Sequence, residues 1–322
     1  MSERKIITVA GEITPQETGY FQCHEHLMIA PGQSSLVNED LCIDDAKKSL
    51  EEVKRYHQAG GFGLVDAQPV GCGRMAEELK KISEESGVQI VASTGFHKML
   101  FYPEGHWVFT KKEEWLTELF LLELREGMYQ DGDKGLPVQK TTYRAGQIKT
   151  AMEKAEMNAQ YQKMFLSAAN AARESGAPIM VHVENGQNPM AYFTLLVKEG
   201  ISANQMIFCH LDRASSDIGV HKELASAGVF IEYDTIGREK YHSDEVELSI
   251  FESMIEAGFE DQLLFSLDTT RRRLISYGGG VGLDYILCTF RQKMQQHGMG
   301  DGLFRKIAVQ NPWNALCWKN KK

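Results

Sequence analysis

The stretch "RESGAPIMVHV", residues 173–183, contains the local pattern that decides the fold. A segment with helical character ends at Gly176, and glycine adopts the left-handed backbone that follows many helices at the lowest cost. The residues after it are apolar at both odd and even positions, which is typical of a parallel strand buried on both faces. The stretch therefore predicts the end of a helix followed at once by a buried strand.

The same order of helix, glycine and apolar run recurs along the chain. It appears as "HQAGGFGLVDAQ", "EESGVQIVAST", "VKEGISANQMIFCH", "ASAGVFIEYDT" and "IEAGFEDQLLFSLD". With two further apolar runs, these repeats predict eight strands, near residues 21–28, 62–68, 89–95, 145–151, 178–184, 206–212, 229–235 and 263–268. The segments between the strands have helical periodicity. The longest connection, 97–144, is expected to cross one end of the fold, since long connections are often functional.

Eight strands alternating with helices predict an α/β protein with a single (β/α)8 TIM-barrel domain over residues 1–322. The alternative is an open, doubly wound sheet. Such a sheet normally carries a glycine-rich phosphate loop after its first strand, and "CHEHLMIAPGQSS", residues 23–35, contains none. The barrel is therefore the favoured fold.

The composition argues against several classes of function. The chain has 322 residues, a net charge of -9 and no basic stripe, so nucleic acid is not expected as a partner. No apolar run approaches the ~20 residues of a membrane span, and "MSERKIITVA" lacks the apolar core of a signal peptide. The six cysteines form no CxxC pair, which favours free thiols in a reducing compartment. These features predict a cytoplasmic protein with no membrane partner.

Polar residues occupy the predicted strands near their carboxyl ends, where a barrel of this kind places its active site. His24 and His26 lie two positions apart in "FQCHEHLMI", residues 21–29, so in a strand both would face the same way. Later strands contribute Lys149, His182, His210 and Asp268. A single strand histidine is more often a hydrogen-bonded core residue than a ligand, and a strand-end aspartate often caps the next helix.

Taken together, these six residues favour a metal site. The strands of one barrel bring their carboxyl ends into one small volume. Imidazole and carboxylate groups are ligands of zinc and similar divalent metals. Four histidines and a carboxylate are enough to hold two metals rather than one.

Lys149 is the unusual member of the set, because a protonated ammonium has no lone pair and would be repelled by cations. Burial near metals lowers the pKa of a lysine and leaves a neutral amine. Such an amine reacts with carbon dioxide to give a carbamate, which can bridge two metals as a carboxylate does. A buried lysine paired with an acid is the alternative at this position.

The motifs "CHEHL", "ASTGF", "RAGQIKTA", "HLDR", "FIEYDTIGR" and "VQNPWNAL" follow one another at the predicted strand positions. In this order they resemble the amidohydrolase superfamily, and within it the phosphotriesterase-like family. The resemblance covers about residues 5–317, and it looks closest to hydrolases of phosphorylated sugar lactones.

The resemblance implies a binuclear site in a metal-dependent hydrolase. His24, His26 and Asp268 would hold the more buried metal, and His182 and His210 the more exposed one. Carboxylated Lys149 and a hydroxide would bridge the two metals, and this hydroxide would attack the substrate. Asp268 would accept its proton; Asp212 would either relay that proton or orient a ligand histidine. Zinc is the metal most expected, manganese and cobalt would also be accepted, and family members often form homodimers.

The family includes hydrolases of phosphotriesters, N-acyl homoserine lactones and phosphorylated sugar lactones. An apolar pocket would suit the first two substrates. This chain instead places cations on the loops after strands six, seven and eight, where barrels frequently bind phosphate. The expected substrate contacts are Arg213, Lys240, Arg271, Arg272, Arg273 and Tyr277, with Arg238 beside them and with His97 and Lys98 as further pocket residues.

The sequence therefore predicts a lactonase that opens a phosphorylated sugar lactone, a small-molecule substrate. A phosphotriesterase or acyl-homoserine lactone hydrolase is the enzymatic alternative. A barrel that binds a ligand without catalysis is the alternative of another class. A solvent-exposed triple-arginine turn is the competing interpretation of residues 271–273.

Overall fold

Eight parallel strands form one sheet in the computed structural model, which describes residues 4–14, 19–153 and 156–319. The strands are β1 Tyr20–Glu25, β2 Gly61–Asp66, β3 Gln89–Gly95, β4 Gln147–Ala151, β5 Ile179–His182, β6 Met206–Cys209, β7 Phe230–Tyr233 and β8 Leu263–Phe265. Their order in the sheet is their order in the chain, and the N–H of Asp268 after β8 donates to the His24 carbonyl of β1 at 3.1 Å. The predicted barrel is confirmed, and the open doubly wound sheet is wrong.

Helices alternate with the strands around the barrel. They are α1 Gln33–Val37, α2 Ala46–Gln58, α3 Ala76–Ser86, α4 Trp107–Thr110, α5 Glu113–Arg125, α6 Ala159–Ser175, α7 Pro189–Lys198, α8 Leu211–Ala214, α9 Ile218–Ser226, α10 Asp244–Glu256, α11 Arg291–Gln296, α12 Asp301–Arg305 and α13 Asn311–Leu316. π-Helical turns Ile286–Phe290 and Lys306–Gln310 precede α11 and α13. Short 3-10 turns are Glu39–Leu41, Met99–Phe101, Ala203–Gln205, Glu260–Gln262 and Ile275–Tyr277.

The glycine of the stretch "RESGAPIMVHV" ends α6, as the sequence predicts. Gly176 has φ 84° and its N–H donates to the Ala172 carbonyl, which satisfies one of the last free carbonyls of the helix. Gly87 ends α3 in the same way, with φ 77°. In both cases the next buried strand begins within three residues, so the helix end also sets where the strand starts.

A β-bulge in β1 decides where its histidines point. Pairing with β2 advances from Gln22↔Leu64 to Glu25↔Asp66, so β1 contains one residue more than its partner over this stretch. Cys23 consequently packs inside the barrel, and His24, the next residue, also reaches the interior. The strand ends at Glu25, before His26. Simple strand alternation therefore does not explain why both histidines reach one site.

Glu25, the residue between the two histidines, joins the first and last strands of the barrel. Its carboxylate accepts hydrogen bonds from the N–H of Leu267 at 2.9 Å and from the N–H and hydroxyl of Thr269 at 3.1 and 2.7 Å. The residue is fully buried, and burial raises the pKa of Glu25 to about 7. Side-chain hydrogen bonds thus replace part of the β1–β8 ladder.

The Glu25→Gln variant should lower the free energy of unfolding by about 2 kcal/mol, because its amide NH2 would face N–H donors that now have an acceptor. Urea unfolding monitored by circular dichroism measures this change. The matched control is Glu51→Gln on the exposed face of α2, for which we expect a change within about 0.5 kcal/mol. Equal unfolding free energies for Glu25→Gln and the unmodified chain would contradict the assigned role.

The amino-terminal end of the barrel is covered. A hairpin of Ile6–Thr8 and Gly11–Ile13, together with α13, packs on the inward-facing residues of the strands. The opposite end is left for a pocket.

All six cysteines are described and none forms a disulfide, as expected. Over residues 4–14, 19–153 and 156–319, no helix has the length and apolar character needed to cross a bilayer.

Candidate metal centre and its pocket

His24 of β1, His26 just after this strand and the aspartate after β8 meet at the carboxyl end of the barrel. The Nε2 atoms of His24 and His26 lie 3.7 and 3.6 Å from the same oxygen, Oδ1 of Asp268. All three side chains are buried or nearly so. They meet because barrel closure places the end of β8 directly beside β1.

Lys149, His182 and His210 complete the same group. The Lys149 Nζ lies 3.1 Å from the His24 Nε2, and the His24 and His210 rings are 4.7 Å apart between centroids. His182 Nδ1 and His210 Nε2 are 2.7 Å apart. The structure thus brings together all six residues that the sequence predicted as ligands.

Two of these residues have strained backbones. His210 has φ 70° and Asp268 has φ 46°, and they are the only non-glycine residues with positive φ in the described part of the chain. This conformation costs about 1–2 kcal/mol for a residue with a β-carbon. His210 directly follows β6 and Asp268 lies three residues after β8, so the strain turns their side chains into the site.

Two acidic residues, one on β7 and one directly after it, orient the histidines. Asp234 accepts a hydrogen bond from His210 Nδ1 at 2.6 Å, and its other oxygen lies 3.5 Å from His24 Nδ1. Glu232 is buried beside them, with Oε2 3.9 Å from His24 Nδ1. Such carboxylates fix the tautomer and ring direction of a ligand histidine. This role of Asp234 was not predicted from the sequence, although Asp234 lies near the carboxyl end of a predicted apolar strand, as Asp268 does.

One ring nitrogen of His182 faces one ring nitrogen of His210, and this arrangement shows whether the six side chains fit a metal. His210 Nδ1–H donates to Asp234, and His182 Nε2–H donates to Glu184 at 2.8 Å. With these tautomers, His182 Nδ1 and His210 Nε2 direct two lone pairs at one another across 2.7 Å. A cation between them would convert this repulsion into attraction. The donor atoms of His24, His26 and Asp268 also lie within 4.8 Å of one another, so the set fits divalent cations.

The protonation states agree with this fit. Burial holds the pKa values of His24, His182 and His210 well below the ordinary value and lowers that of His26 to about 4. Neutral imidazoles keep the lone pair that a metal needs. Burial likewise lowers the pKa of Lys149, which favours the neutral amine required for carboxylation.

A cavity of about 290 Å³ opens above the centre. It is lined by His26, His97, Phe101, His182 and Asp268 and by four cationic residues, Lys98, Arg213, Arg238 and Lys240. His97 and Lys98 thus line the pocket as expected. Lys98 forms an ion pair with Glu184 across the pocket. The wall of this pocket is therefore basic as well as apolar.

Arg213 and Arg238 reach the predicted metal ligand itself. They donate to Asp268 Oδ2 at 2.9 and 2.6 Å. Burial by itself would raise the pKa of Asp268, but these two guanidinium groups outweigh it and hold the pKa well below the ordinary value. Both also stack on the ring of Tyr241, which Lys240 contacts from 4.7 Å. Tyr241 is a further pocket residue that the sequence analysis did not identify.

Asp212 does not face the metal centre. One of its oxygens accepts from the N–H groups of Asp234 and Thr235 at 2.9 and 2.6 Å, so the carboxylate is bound to the backbone after β7. The expectation that it shares the direction of His210 is wrong because β6 ends at Cys209 and the positive φ of His210 breaks the strand alternation. It does not orient His210 either, since Asp234 does.

The triple-arginine turn also lies away from the pocket, which corrects the predicted substrate contacts there. Arg271 pairs with Asp44 at 3.0 Å, and Arg272 pairs with Glu39 at 2.9 Å with 71% of its side chain exposed. Tyr277 lies beside them around a separate surface depression. Arg273 is turned inward, where it donates to the carbonyls of Leu267 and Ile236. Arg213 and Lys240 are the two predicted contacts that line the pocket.

The motif order and the site geometry agree with a family comparison. A model of the phosphotriesterase family matches residues 4–316. The chain belongs to the phosphotriesterase family. The predicted family is therefore confirmed, and with it the prediction of a hydrolase that acts on ester bonds. The family is one of metal-dependent hydrolases, and this chain has candidate metal-binding residues.

Three proteins that are similar to this chain have different names. A phospho-furanose lactonase of Mycoplasmopsis synoviae is 25% identical over 98% of this chain and 92% of its own length. An N-acetyltaurine hydrolase of Danio rerio is 26% identical over 98% of both chains. The crystal structure of the lactonase Lmo2620 from Listeria monocytogenes has a TM-score of 0.89 and 28% identity, covering 98% of this chain and 100% of its own.

Proposed function

We propose that this member of the phosphotriesterase family is a binuclear-metal lactonase that opens a phosphorylated sugar lactone, of the phospho-furanose type. The observation that carries the proposal is the basic wall of the pocket, where Arg213 and Arg238 donate to Asp268 and Lys240 lines the rim. A phosphate group three or more bonds from the reacting carbonyl would meet these cations while the carbonyl meets the centre.

The six ligand residues would share two metals as follows. His24, His26 and Asp268 would hold one metal and His182 and His210 the other, with Lys149 as a carbamate between them. Zinc suits these nitrogen and oxygen donors, and manganese or cobalt would be accepted. When bound, the two cations would lower the pKa of a shared water molecule and polarise the lactone carbonyl.

Asp268 would handle the proton of this reaction. Its lowered pKa keeps the carboxylate ionised, so it can accept the proton of the attacking water. The ring C–O bond then breaks, and Asp268 returns that proton to the departing ring oxygen. The products are a free hydroxyl group and a carboxylic acid on one open chain, and this acid releases the second proton of the water to solvent when it ionises.

The cations differ in how available they are for a phosphate. Lys98 is paired with Glu184, and Arg213 and Arg238 are partly engaged by Asp268. The buried Nη1 of Arg213 lies 3.7 Å from Asp234 Oδ1 and forms no hydrogen bond among the described residues. Lys240 forms no ion pair within that same part of the chain, and it is exposed at the pocket rim. Lys240 and Arg213 Nη1 are therefore the groups we assign to phosphate oxygens.

Two other reactions are less well supported. A phosphotriester or an N-acyl homoserine lactone carries little charge and would leave the basic wall without a partner. N-acetyltaurine, which names the relative from Danio rerio, is an acetamide that carries a sulfonate group, and a sulfonate would also suit these cations. That similarity makes N-acetyltaurine a necessary comparison substrate.

The deciding experiment compares kcat/KM for a phosphorylated furanose lactone, the same lactone without phosphate, a neutral phosphotriester, an N-acyl homoserine lactone and N-acetyltaurine. We expect a preference of about 100-fold for the phosphorylated lactone over its unphosphorylated form, corresponding to two charged contacts. Equal values for the two lactones would overturn the phosphate assignment. Faster hydrolysis of N-acetyltaurine would replace the lactone with an amide as the substrate.

Lys240→Ala should raise KM for the phosphorylated lactone about 10-fold, because one charge-assisted contact is lost, and should leave kcat nearly unchanged. Steady-state kinetics on both lactones measure this split, and the neutral lactone should be unaffected. Arg272→Ala is the matched control, since that cation lies on the exposed turn. A larger effect of Arg272→Ala than of Lys240→Ala would show that phosphate binds elsewhere.

A further inference from the structure

A second group of possible metal ligands lies outside the pocket. It consists of Asp212 on α8, His242 on the loop after β7 and Glu247 on the first turns of α10. One donor atom from each lies within 4.8 Å of the other two. Asp212 and Glu247 are buried, and the His242 side chain is 14% exposed. We call these three residues the loop cluster.

The loop cluster consists of acceptors that face one another. His242 Nδ1–H donates to the Ser243 carbonyl at 3.2 Å, which leaves the Nε2 lone pair directed at Glu247 Oε2, 3.3 Å away. Neither oxygen of Glu247, nor His242 Nε2, has a hydrogen-bond partner in the part of the chain that the structure describes. A fully buried carboxylate without a donor is costly. The geometry therefore leaves a gap that a positive group would fill.

We infer that the loop cluster is a further divalent-cation site, distinct from the six-residue centre in the pocket. Two carboxylates and a neutral imidazole supply two negative charges, which one divalent cation balances. Nitrogen and oxygen donors of this kind suit zinc or manganese. Asp212 would contribute through Oδ1, which accepts one hydrogen bond from the Arg213 N–H at 3.0 Å, since its Oδ2 is held by two backbone N–H groups.

A cation at this position would organise the pocket wall. The loop from Asp234 to Ser243 carries Arg238, Lys240 and Tyr241, and α10 begins directly after it. Joining His242 and Glu247 to Asp212 would tie that loop to the turn that carries Arg213. The site would thus be structural, and it would act on the substrate through the position of the loop.

The test uses the full chain, stripped of metal by chelator dialysis and reloaded with Zn²⁺ alone or Mn²⁺ alone. Bound metal is measured by mass spectrometry after gel filtration, and melting temperature by circular dichroism. We expect Glu247→Gln and His242→Asn each to bind one equivalent less than the unmodified chain. The rise in melting temperature on adding metal should also be smaller in both variants.

A natural control lies on the same helix. His297 contacts Glu245 and Glu252 on the exposed surface, at 2.8 and 3.1 Å, and so combines the same residue types without burial. Glu252→Gln should leave the metal content unchanged. If it loses metal as Glu247→Gln does, the loss is not specific to the loop cluster and the inference fails.

One further result would overturn the inference. Unchanged metal content in both folded variants would mean that Glu247 holds a proton, in keeping with its pKa, which burial and then Asp212 raise well above the ordinary value. If Glu247→Gln does not fold, His242→Asn decides alone, because that residue lies on a partly exposed loop. This test also distinguishes failure of the loop cluster from failure of the proposed pocket centre. If the pocket centre is wrong, the unmodified chain and Lys149→Met would contain equal amounts of metal. Glu247→Gln would still contain one equivalent less than the unmodified chain.

Discussion

Replacing Lys149 by methionine should lower kcat/KM by about 1000-fold or more, because it removes the only group in the centre that can become a bridging carbamate. Methionine has a similar unbranched shape and no charge, so the fully buried side chain can be replaced without a cavity. Bound metal should fall by at least one equivalent per chain. Hydrolysis of the phosphorylated lactone and metal analysis of the same preparation measure the two effects.

The stability of Lys149→Met separates a chemical role from a structural one. The Lys149 Nζ contacts His24 Nε2 at 3.1 Å and no carboxylate within hydrogen-bond distance in the described residues. Loss of a buried amine should therefore not destabilise the metal-free chain. Lys163→Met is the matched control: Lys163 donates to carbonyls that include those of Val108 and Lys111, far from the pocket. A fully active Lys149→Met variant would exclude the carbamate.

Asp268→Asn is expected to have an effect of similar size, with a loss of about 1000-fold in kcat and a smaller change in KM. An amide can neither accept the proton of the attacking water nor neutralise a cation. The variant also leaves Arg213 and Arg238 without the carboxylate that they now share. Asparagine tolerates the positive φ at this position as well as aspartate does, so the backbone should persist.

The control for Asp268→Asn is Asp284→Asn, an aspartate that pairs with Arg55 at 3.4 Å on the outside of the barrel. It should retain full activity. Steady-state kinetics with the phosphorylated lactone, together with a circular dichroism spectrum, separate loss of chemistry from loss of fold. An Asp268→Asn variant within a factor of ten of the unmodified enzyme would assign the proton transfer to another group.

The barrel and its six candidate ligands could be predicted from local patterns. A glycine that must end a helix and an apolar run buried on both faces are properties of neighbouring residues. Residues at the ends of such strands necessarily meet when the barrel closes. His182 and Lys149 could therefore be assigned to one site from the sequence alone. The match to the phosphotriesterase family covers residues 4–316, a range that includes these stretches.

Two predictions that depended on the direction of a loop side chain, those for Arg271 and Asp212, were wrong. Arg271 is three residues beyond Asp268, yet it pairs with Asp44 on the outer surface. Nearness in sequence does not decide direction after a residue with positive φ, and Asp268 is such a residue. Asp212 was misplaced for the same reason, since it follows His210.

The amino-acid sequence by itself determined the α/β barrel, the order of its strands and the donor chemistry at their ends, because periodicity and turn residues act over a few positions. Only the tertiary structure decided which charges face the pocket and which are paired on the surface. It brought Asp234 to His210, Arg238 to Asp268 and Glu247 to Asp212, pairs that lie 24, 30 and 35 residues apart. The physical reason is that such contacts depend on how loops return across the barrel mouth, and no short stretch of sequence encodes that path.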